Sequence, residues 1–233
     1  MNVRCLPRIV LITGTDTGVG KTITTAALAA VLARTGSVAV YKPVQTGVRL
    51  GAVGDVEVVR RLTGIEACSE GTRLPEPMAP RAAAERAGVW LPPLRDHVQR
   101  MGRLAAAHEH VLVEGAGGLL VQLDHAGHTL ADLAAALPES GMIVVCRSTL
   151  GTLNHTALTV EALEHRGITV AGITIGAWPR SPSAIEIGNR DHFAMAGIPL
   201  LGSLPENAGT RSPESFRQLA GEVFDEAASE DCW

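Results

Sequence analysis

Aromatic side chains are scarce: three Trp, three Phe and one Tyr make up 3% of the 233 residues. Ala, Val, Leu and Gly stand in their place. That composition suits helices packed closely on a parallel sheet whose Val- and Ile-rich strands are buried on both faces. Cys5, Cys68, Cys146 and Cys232 form no C-x-x-C pair and no zinc spacing. Cys146 closes an apolar run and reads as a small core residue, the other three read as incidental, and nothing asks for an oxidising compartment. The net charge is −4, with no run of Lys or Arg and no basic stripe interleaved with aromatics, which argues against nucleic acid as a main partner. The early apolar run at residues 9–12 is too short for a signal segment, and no stretch approaches the length of a membrane span. Long linkers, low-complexity tracts and internal repeats are missing as well. The expectation is one cytoplasmic domain over residues 1–233, with no membrane and no nucleic acid among its partners.

What is present alternates. Residues 9–13 are a β-rich burst, 14–20 a loop, and 21–35 a helix stopped by Gly36. Residues 37–44 form a second strand, and Asp55 is placed to cap a helix over 55–62. The proline-punctuated "RLPEPMAPRAAAERAG" crosses the surface before a short helical piece. A helix over 94–108 follows, then a strand at 110–113 running into "EGAGG", and a small helix over 129–137 that Thr129 can cap. The second half repeats the pattern with strands at 142–146, 169–175 and 198–204, and helices at 153–166, 185–196 and 212–226, before a frayed tail. Such alternation means an α/β fold, a mostly parallel central sheet with helices on both faces. Ligands in such sheets sit beyond the carboxyl ends of the strands, where each chemistry-bearing motif here falls.

The first of these is "LITGTDTGVGKT", residues 11–22. The usual phosphate loop has four residues between its glycines; counted back from Gly20, the first glycine belongs at position 15, which holds Thr15. A small residue there keeps the cradle if its φ is negative. Amide groups of the loop would then face phosphate oxygens at the positive start of the following helix. Lys21 would reach the β- and γ-phosphates and the Thr22 hydroxyl would bind Mg²⁺. In "HVLVEGAGG" an apolar strand ends in Glu114, a Walker-B-like carboxylate for Mg²⁺. "YKPVQTG" puts Lys42 and Thr46 after the second strand; read alone, a strand-end lysine is more often a solvated cation. Asp55 alone reads as a helix cap more readily than as a metal ligand. In "STLGTLNHTALT" a glycine turn opens a helix whose amides at 151–153 could hold a carboxylate, or simply start a helix. His155 reads as a structural hydrogen-bonder rather than a base. With no N-K-x-D run, a guanine-reading GTPase is disfavoured.

Together "GTDTGVGKT", "YKPVQTG", "EGAGG" and "LGTLNHTALT" stand in the order and spacing of the dethiobiotin synthetase family, and the resemblance runs from the first strand to at least "LLGSLPEN". It implies a P-loop NTPase fold and a homodimer. The implied reaction is an ATP- and Mg²⁺-dependent ring closure from 7,8-diaminononanoate and CO₂ through a carbamate and a carbamic-phosphoric anhydride, giving the cyclic urea used in biotin synthesis. By the match, Lys21, Lys42 and Thr46 are catalytic, and Thr22, Asp55 and Glu114 surround Mg²⁺. ATP contacts are implied at Thr17, Gly18, Val19, Gly20, Lys21, Thr22 and Ile23, at Glu114, Gly115, Ala116 and Gly117, and at Gly176, Ala177 and Pro205. Lys42 and Thr46 face the substrate, with Gly151, Thr152, Leu153 and Asn154 receiving its carboxylate across the dimer. The resemblance also leans towards residues 74–80 as a wall of the substrate site.

Two departures stand out. Some relatives carry Asn-Asp where this chain has Gly176 and Ala177, and an acid where it has Gly18. Looser base selection is therefore expected, with other triphosphates such as CTP accepted beside ATP. Two rivals share the loop type. A cobyrinic-acid-type synthetase normally adds a glutaminase domain with a Cys nucleophile, for which this chain is too short. A positioning ATPase of the ParA or MinD kind has a lysine early in the loop, and none precedes Lys21 in "TGTDTGVGKT". That kind also needs a basic DNA-binding face or an amphipathic tail, whereas residues 212–233 are acidic.

Overall fold

The computed structural model describes residues 3–137 and 139–225. Seven parallel strands make one sheet: β1 (Ile9–Gly14), β2 (Val38–Gln45), β3 (Cys68–Arg73), β4 (His110–Gly118), β5 (Gly141–Cys146), β6 (Val170–Trp178) and β7 (Leu200–Pro205). Their order is β3-β2-β4-β1-β5-β6-β7. The helices are α1 (Lys21–Leu32), α2 (Asp55–Thr63), α3 (Pro80–Ala87), α4 (Leu94–Ala107), α5 (Leu130–Ala135), α6 (Thr152–Glu164), α7 (Ala184–Met195) and α8 (Pro213–Asp225). The expected α/β sheet with two helical layers is therefore present.

Burial explains the layering. In β1, Val10 and Ile12 point into one layer with α1, α2 and α8, while Leu11 points into the other with α3 to α7. Alternate side chains thus find apolar cover on both faces, as a central parallel strand requires. Ala26, Ala27, Ala29 and Ala30 let α1 lie close over the sheet, and each is buried. The chain leaves β1 for β2 and β3, returns to place β4 between β2 and β1, then continues outward through β5, β6 and β7. That reversal beside β1 opens a crevice at the carboxyl ends of the central strands.

Several expectations need correction. Strand β3 was not foreseen: Cys-Ser-Glu-Gly-Thr-Arg has no apolar run, because it is an edge strand that pairs only with β2, from Val40↔Cys68 to Gln45↔Arg73. Strand β4 continues past Val113 because Gly118 pairs with Gly14 of β1. Asp55 is the first residue of α2 and not its cap; the cap is Gly54, whose N–H donates to the Glu57 carboxylate at 2.8 Å. Thr129 does cap α5, accepting from the Asp132 N–H. Cys146 is buried as expected, and Cys68 is buried and free. The frayed tail and Glu226 lie outside the described residues. Among the described residues no helix is long and apolar enough to cross a membrane.

Helix α8 holds α1 from outside the sheet through Phe216 and Phe224, both fully buried. Phe216→Ala is expected to lower the unfolding free energy by about 3–5 kcal/mol. Leu50→Ala, at a side chain 96% exposed, is expected to change it by less than about 0.5 kcal/mol. Denaturant unfolding of both variants checks the contrast.

Candidate active site

The phosphate loop after β1 is intact despite Thr15. Gly14 takes over the crowded position: a Cβ there would stand 2.7 Å from Val19 Cγ2, 2.8 Å from the Asp16 carbonyl and 2.9 Å from Lys21 Nζ. Positive φ within the loop is confined to Gly18, at 71°, and Gly20, at 99°, so Thr15 adopts ordinary backbone and donates its N–H to Val145 at 2.9 Å. Gly20 packs directly on β6, where a Cβ would meet the Gly176 carbonyl at 2.5 Å. The Asp16 carboxylate accepts the Thr17 N–H at 2.7 Å, and Arg147 Nη2 donates to its other oxygen at 2.5 Å. Helix α1 begins at Lys21, so its first free amides open into the crevice.

Lys42 and Glu114 meet because β2 and β4 are neighbours. The register pairs Tyr41 with Val113, so the next residues on each strand emerge side by side. Lys42 Nζ donates to Glu114 Oε1 at 2.7 Å and to the Gly115 carbonyl at 3.3 Å, and it forms an ion pair with Asp55 at the start of α2. Thr22 Oγ1 donates to the same Glu114 oxygen at 2.9 Å. Lys21 Nζ lies within the loop, donating to the Asp16 carbonyl at 2.9 Å.

These groups tune one another. Burial, helped by the nearby Lys42 cation, pulls Lys21 down to about 8. Burial alone would lower Lys42 too, but Glu114 and Asp55 outweigh it and hold its ammonium above the usual range. Glu114 is pushed up by burial despite Lys42. Asp55, half open to water, is also desolvated, but Lys42 prevails and holds it low. The shared cation thus favours the charged form of Asp55 most, while burial works against that of Glu114. Two carboxylates and a hydroxyl converging within hydrogen-bond reach are hard oxygen donors of the kind Mg²⁺ takes alongside phosphate oxygens.

A cleft of about 540 Å³ runs over these groups. Thr17, Gly18, Lys21 and Thr22 line it from the loop, Lys42, Thr46 and Asp55 from one side, and Glu114, Ala116 and Gly117 from the floor. Pro77, Met78, Ala79 and Pro80 form the opposite wall, so the segment 74–80 does reach the cleft. Gln45, Val48 and Val121 line it too and were not singled out. Gln45 lay inside the quoted "YKPVQTG", and its Oε1 accepts the Asp55 N–H at 2.8 Å.

Other expected residues lie apart. Val19 is buried under the loop and Ile23 faces Gly209. Gly115 lies beneath the floor, with its carbonyl on Lys42. Gly176, Ala177 and Pro205 sit at the ends of β6 and β7, where Trp178 pairs with Pro205. The turn into α6 lies outside the cleft: Gly151 has φ 88°, Thr152 Oγ1 donates to the Arg147 carbonyl at 2.8 Å, Asn154 is exposed, and Leu153 lines a separate groove with Phe193. The structural role read for His155 is corrected, since it is exposed and its ring enters none of the hydrogen bonds among the described residues. A different histidine, His97, is buried behind β2, its Nδ1 2.8 Å from the Tyr41 hydroxyl; a lone histidine inside a helical pattern gave no signal for it.

Comparison with known proteins places this geometry. Residues 8–214 match the family model described as an AAA domain. The ATP-dependent dethiobiotin synthetase BioD of Rhodococcus erythropolis strain PR4 is 50% identical over 215 residues, covering 91% of this chain and 94% of that protein. The protein of the same name from Mycobacterium sp. strain KMS is 49% identical over 222 residues, covering 93% and 96%. Among solved structures, the cell division ATPase MinD of Pyrococcus furiosus superposes with a TM-score of 0.58 at 19% identity, covering 93% of this chain and 98% of that one. The last likeness concerns the fold alone. Sequence identity near one half, sustained across more than nine-tenths of the chain, goes well beyond a shared fold, and the chain belongs to the dethiobiotin synthetase family.

Proposed function

We propose that the chain closes the ureido ring of dethiobiotin from 7,8-diaminononanoate, CO₂ and ATP in biotin biosynthesis. The observation that carries this reading is Lys42, buried between Glu114 and Asp55 in a cleft continuous with the phosphate loop. One amine of the diamine adds to CO₂ and loses a proton, giving a carbamate. A carbamate oxygen attacks the γ-phosphorus, ADP leaves, and a mixed carbamic-phosphoric anhydride remains. The second amine attacks the carbonyl carbon, inorganic phosphate leaves, and the five-membered urea is closed.

This chemistry asks chiefly for alignment and for neutralisation of moving negative charge. Lys21 and the loop amides hold the phosphates. Lys42 stabilises the carbamate and the transferring group, and Thr46 orients the carbamate or the amines. Mg²⁺, when bound, screens charge on the β- and γ-phosphates, and Thr22, Asp55 and Glu114 are the donors suited to hold it. The base lies by Gly176, Ala177 and Pro205. The protein acts as a single cytoplasmic domain and as a homodimer in which residues 151–154 of one copy receive the substrate carboxylate bound to the other, with neither nucleic acid nor membrane as partner. A positioning ATPase of the MinD kind shares the fold, but no group in the cleft favours that reading.

Phosphate release with ATP, Mg²⁺ and bicarbonate is expected to require the diamine and to yield the cyclic urea by mass. Lys42→Ala is expected to slow it by about 10²–10³-fold. Release that ignores the diamine and follows DNA or lipid vesicles overturns the reading. Base preference is expected to be weak, because Gly176 offers no side chain and Ala177 only a methyl group. ATP, CTP and GTP should bind within about a hundredfold of one another, since only a site built to hydrogen-bond a polar group rejects analogues more strongly than that.

Lys21 supplies a pH signature. Its ammonium titrates at about 8 in the free protein, and a bound triphosphate raises that value. Affinity is therefore complete below about pH 8 and falls above it, by up to about tenfold per pH unit, with proton uptake on binding. Calorimetry in buffers of different ionisation enthalpy measures both; a flat affinity across that range contradicts the assignment.

A further inference from the structure

Arg73 ends the polar edge strand β3, and its guanidinium is the hub of a network next to the cleft but outside it. Nε donates to Glu70 Oε1 at 2.5 Å and Nη2 to Glu70 Oε2 at 3.0 Å, which fixes the plane of the group. Nη2 also reaches the two oxygens of Glu57, at 2.9 and 3.0 Å. Nη1 donates to the Ala52 carbonyl at 2.5 Å and, more weakly, to the Arg49 carbonyl at 3.5 Å. Only 13% of the side chain is exposed, so these bonds escape most of the screening that weakens surface pairs.

Apart from Glu70, the targets of this fork lie on the loop 46–54 or in the first turn of α2, beside Asp55. Glu57 accepts the Gly54 N–H at 2.8 Å and so builds the turn that starts α2. Arg49 and Ala52 belong to the loop 46–54, which carries Thr46 and Val48 along the cleft. Gln45, the β2 residue paired with Arg73 in the sheet, accepts the N–H of Asp55 itself. Apolar anchors are missing from the loop tip, where Leu50 and Val53 are 96% and 69% exposed. Without the guanidinium, Glu57 and Glu70 would face each other as like charges and the loop carbonyls would lose their donor.

We infer that Arg73 is a positioning residue for the ring-closing site: it clamps the loop 46–54 to the first turn of α2 and so aims Asp55 at Lys42 and at the Mg²⁺ position it is proposed to share with Thr22 and Glu114. The catalytic part rests on the function proposed above; the clamp rests on the hydrogen bonds alone. Five donors in a rigid fork are needed to serve two carboxylates and two carbonyls at once, which a lysine cannot do.

Two measurements on the full chain test this separately. In hydrogen exchange without added metal, Arg73→Gln is expected to speed exchange in segment 48–57 at least about tenfold while central strands β1 and β4 are unchanged. In turnover, Arg73→Gln is expected to slow the reaction by about 10–100-fold and to raise the Mg²⁺ concentration for half-maximal rate, with Arg73→Lys restoring only part. In an Asp55→Asn background the same change is expected to add little, because the two residues act as one unit. Unchanged exchange at 48–57 overturns the clamp. An equal slowing by Arg73→Gln with and without Asp55 overturns the link to the site. If Arg73→Gln does not fold, Glu70→Gln keeps the Glu57 and Ala52 bonds and is expected to show the same faster exchange in smaller measure; no change there also overturns the clamp. A wild-type chain that makes no cyclic urea refutes the proposed function, while the exchange experiment still decides the clamp.

Discussion

One buried ammonium shared by two carboxylates is the constraint around which the cleft is arranged. Lys42 and Glu114 are 4% and 2% exposed, and charges so far from water persist only when paired and hydrogen-bonded. The pairing requires β4 to return between β2 and β1, since only that order sets Lys42 beside Glu114. It requires Asp55 at the first position of α2, where the carboxylate is free because Glu57 has taken over the cap. It also draws in Thr22 from the first turn of α1. Four separate elements thus meet at one cation, and the sheet order is what allows it.

Charge bookkeeping around that point supports the proposed pairing of a nucleotide with a divalent ion there. Lys21 and Lys42 balance Asp55 and Glu114, so the floor of the cleft is close to neutral by itself. Lys21 has lost solvent without gaining an acid within bonding distance; its partner is the Asp16 carbonyl. A triphosphate restores what burial removed from Lys21, but it brings more negative charge than one lysine offsets. The excess calls for a cation near Thr22 and Glu114, beside the helix start that already favours anions.

The sequence was most informative where apolar strands end in a chemical group. Val111, Leu112 and Val113 are buried on both faces, so the run before Glu114 is visible and the acid at its end is conspicuous. The same holds for the run into Gly14. The phosphate loop and Glu114 could be read for that reason, whereas Lys42, Thr46, Asp55 and residues 151–154 needed a family pattern. Strand β3 could not be read at all, because an edge strand need bury only one flank and "CSEGTR" carries no alternation. The cap at Gly54 was missed because a glycine cap supplied by Glu57 looks, residue by residue, like Asp55 capping itself. His155 reads by sequence as a structural hydrogen-bonder and lies exposed on α6, while His97 carries no sequence signal and lies against Tyr41.

The unreadable edge matters because the two sides of the cleft are built differently. The side made by β1, β4 and α1 is held by apolar packing in the middle of the sheet, where each strand has neighbours on both sides. The side made by the loop 46–54 and by Pro77 to Pro80 lies beyond the last two strands; Met78 and Pro80 still pack inward, but the loop 46–54 has no apolar anchor at its tip. Hydrogen bonds do the holding: Gly47 N–H to the Glu76 carbonyl at 3.0 Å, Val48 N–H to the Leu74 carbonyl at 3.2 Å, and the fork of Arg73 onto Ala52 and Glu57. A polar seam of this kind tolerates small adjustments that a packed core resists. It suits the proposed reaction, in which a flexible diamine is taken up, its carbamate held in line with a phosphate, and a second amine admitted to the same carbon. In the proposed reaction the packed side would fix where the phosphates go, and the polar side how closely the reacting carbon is brought to them.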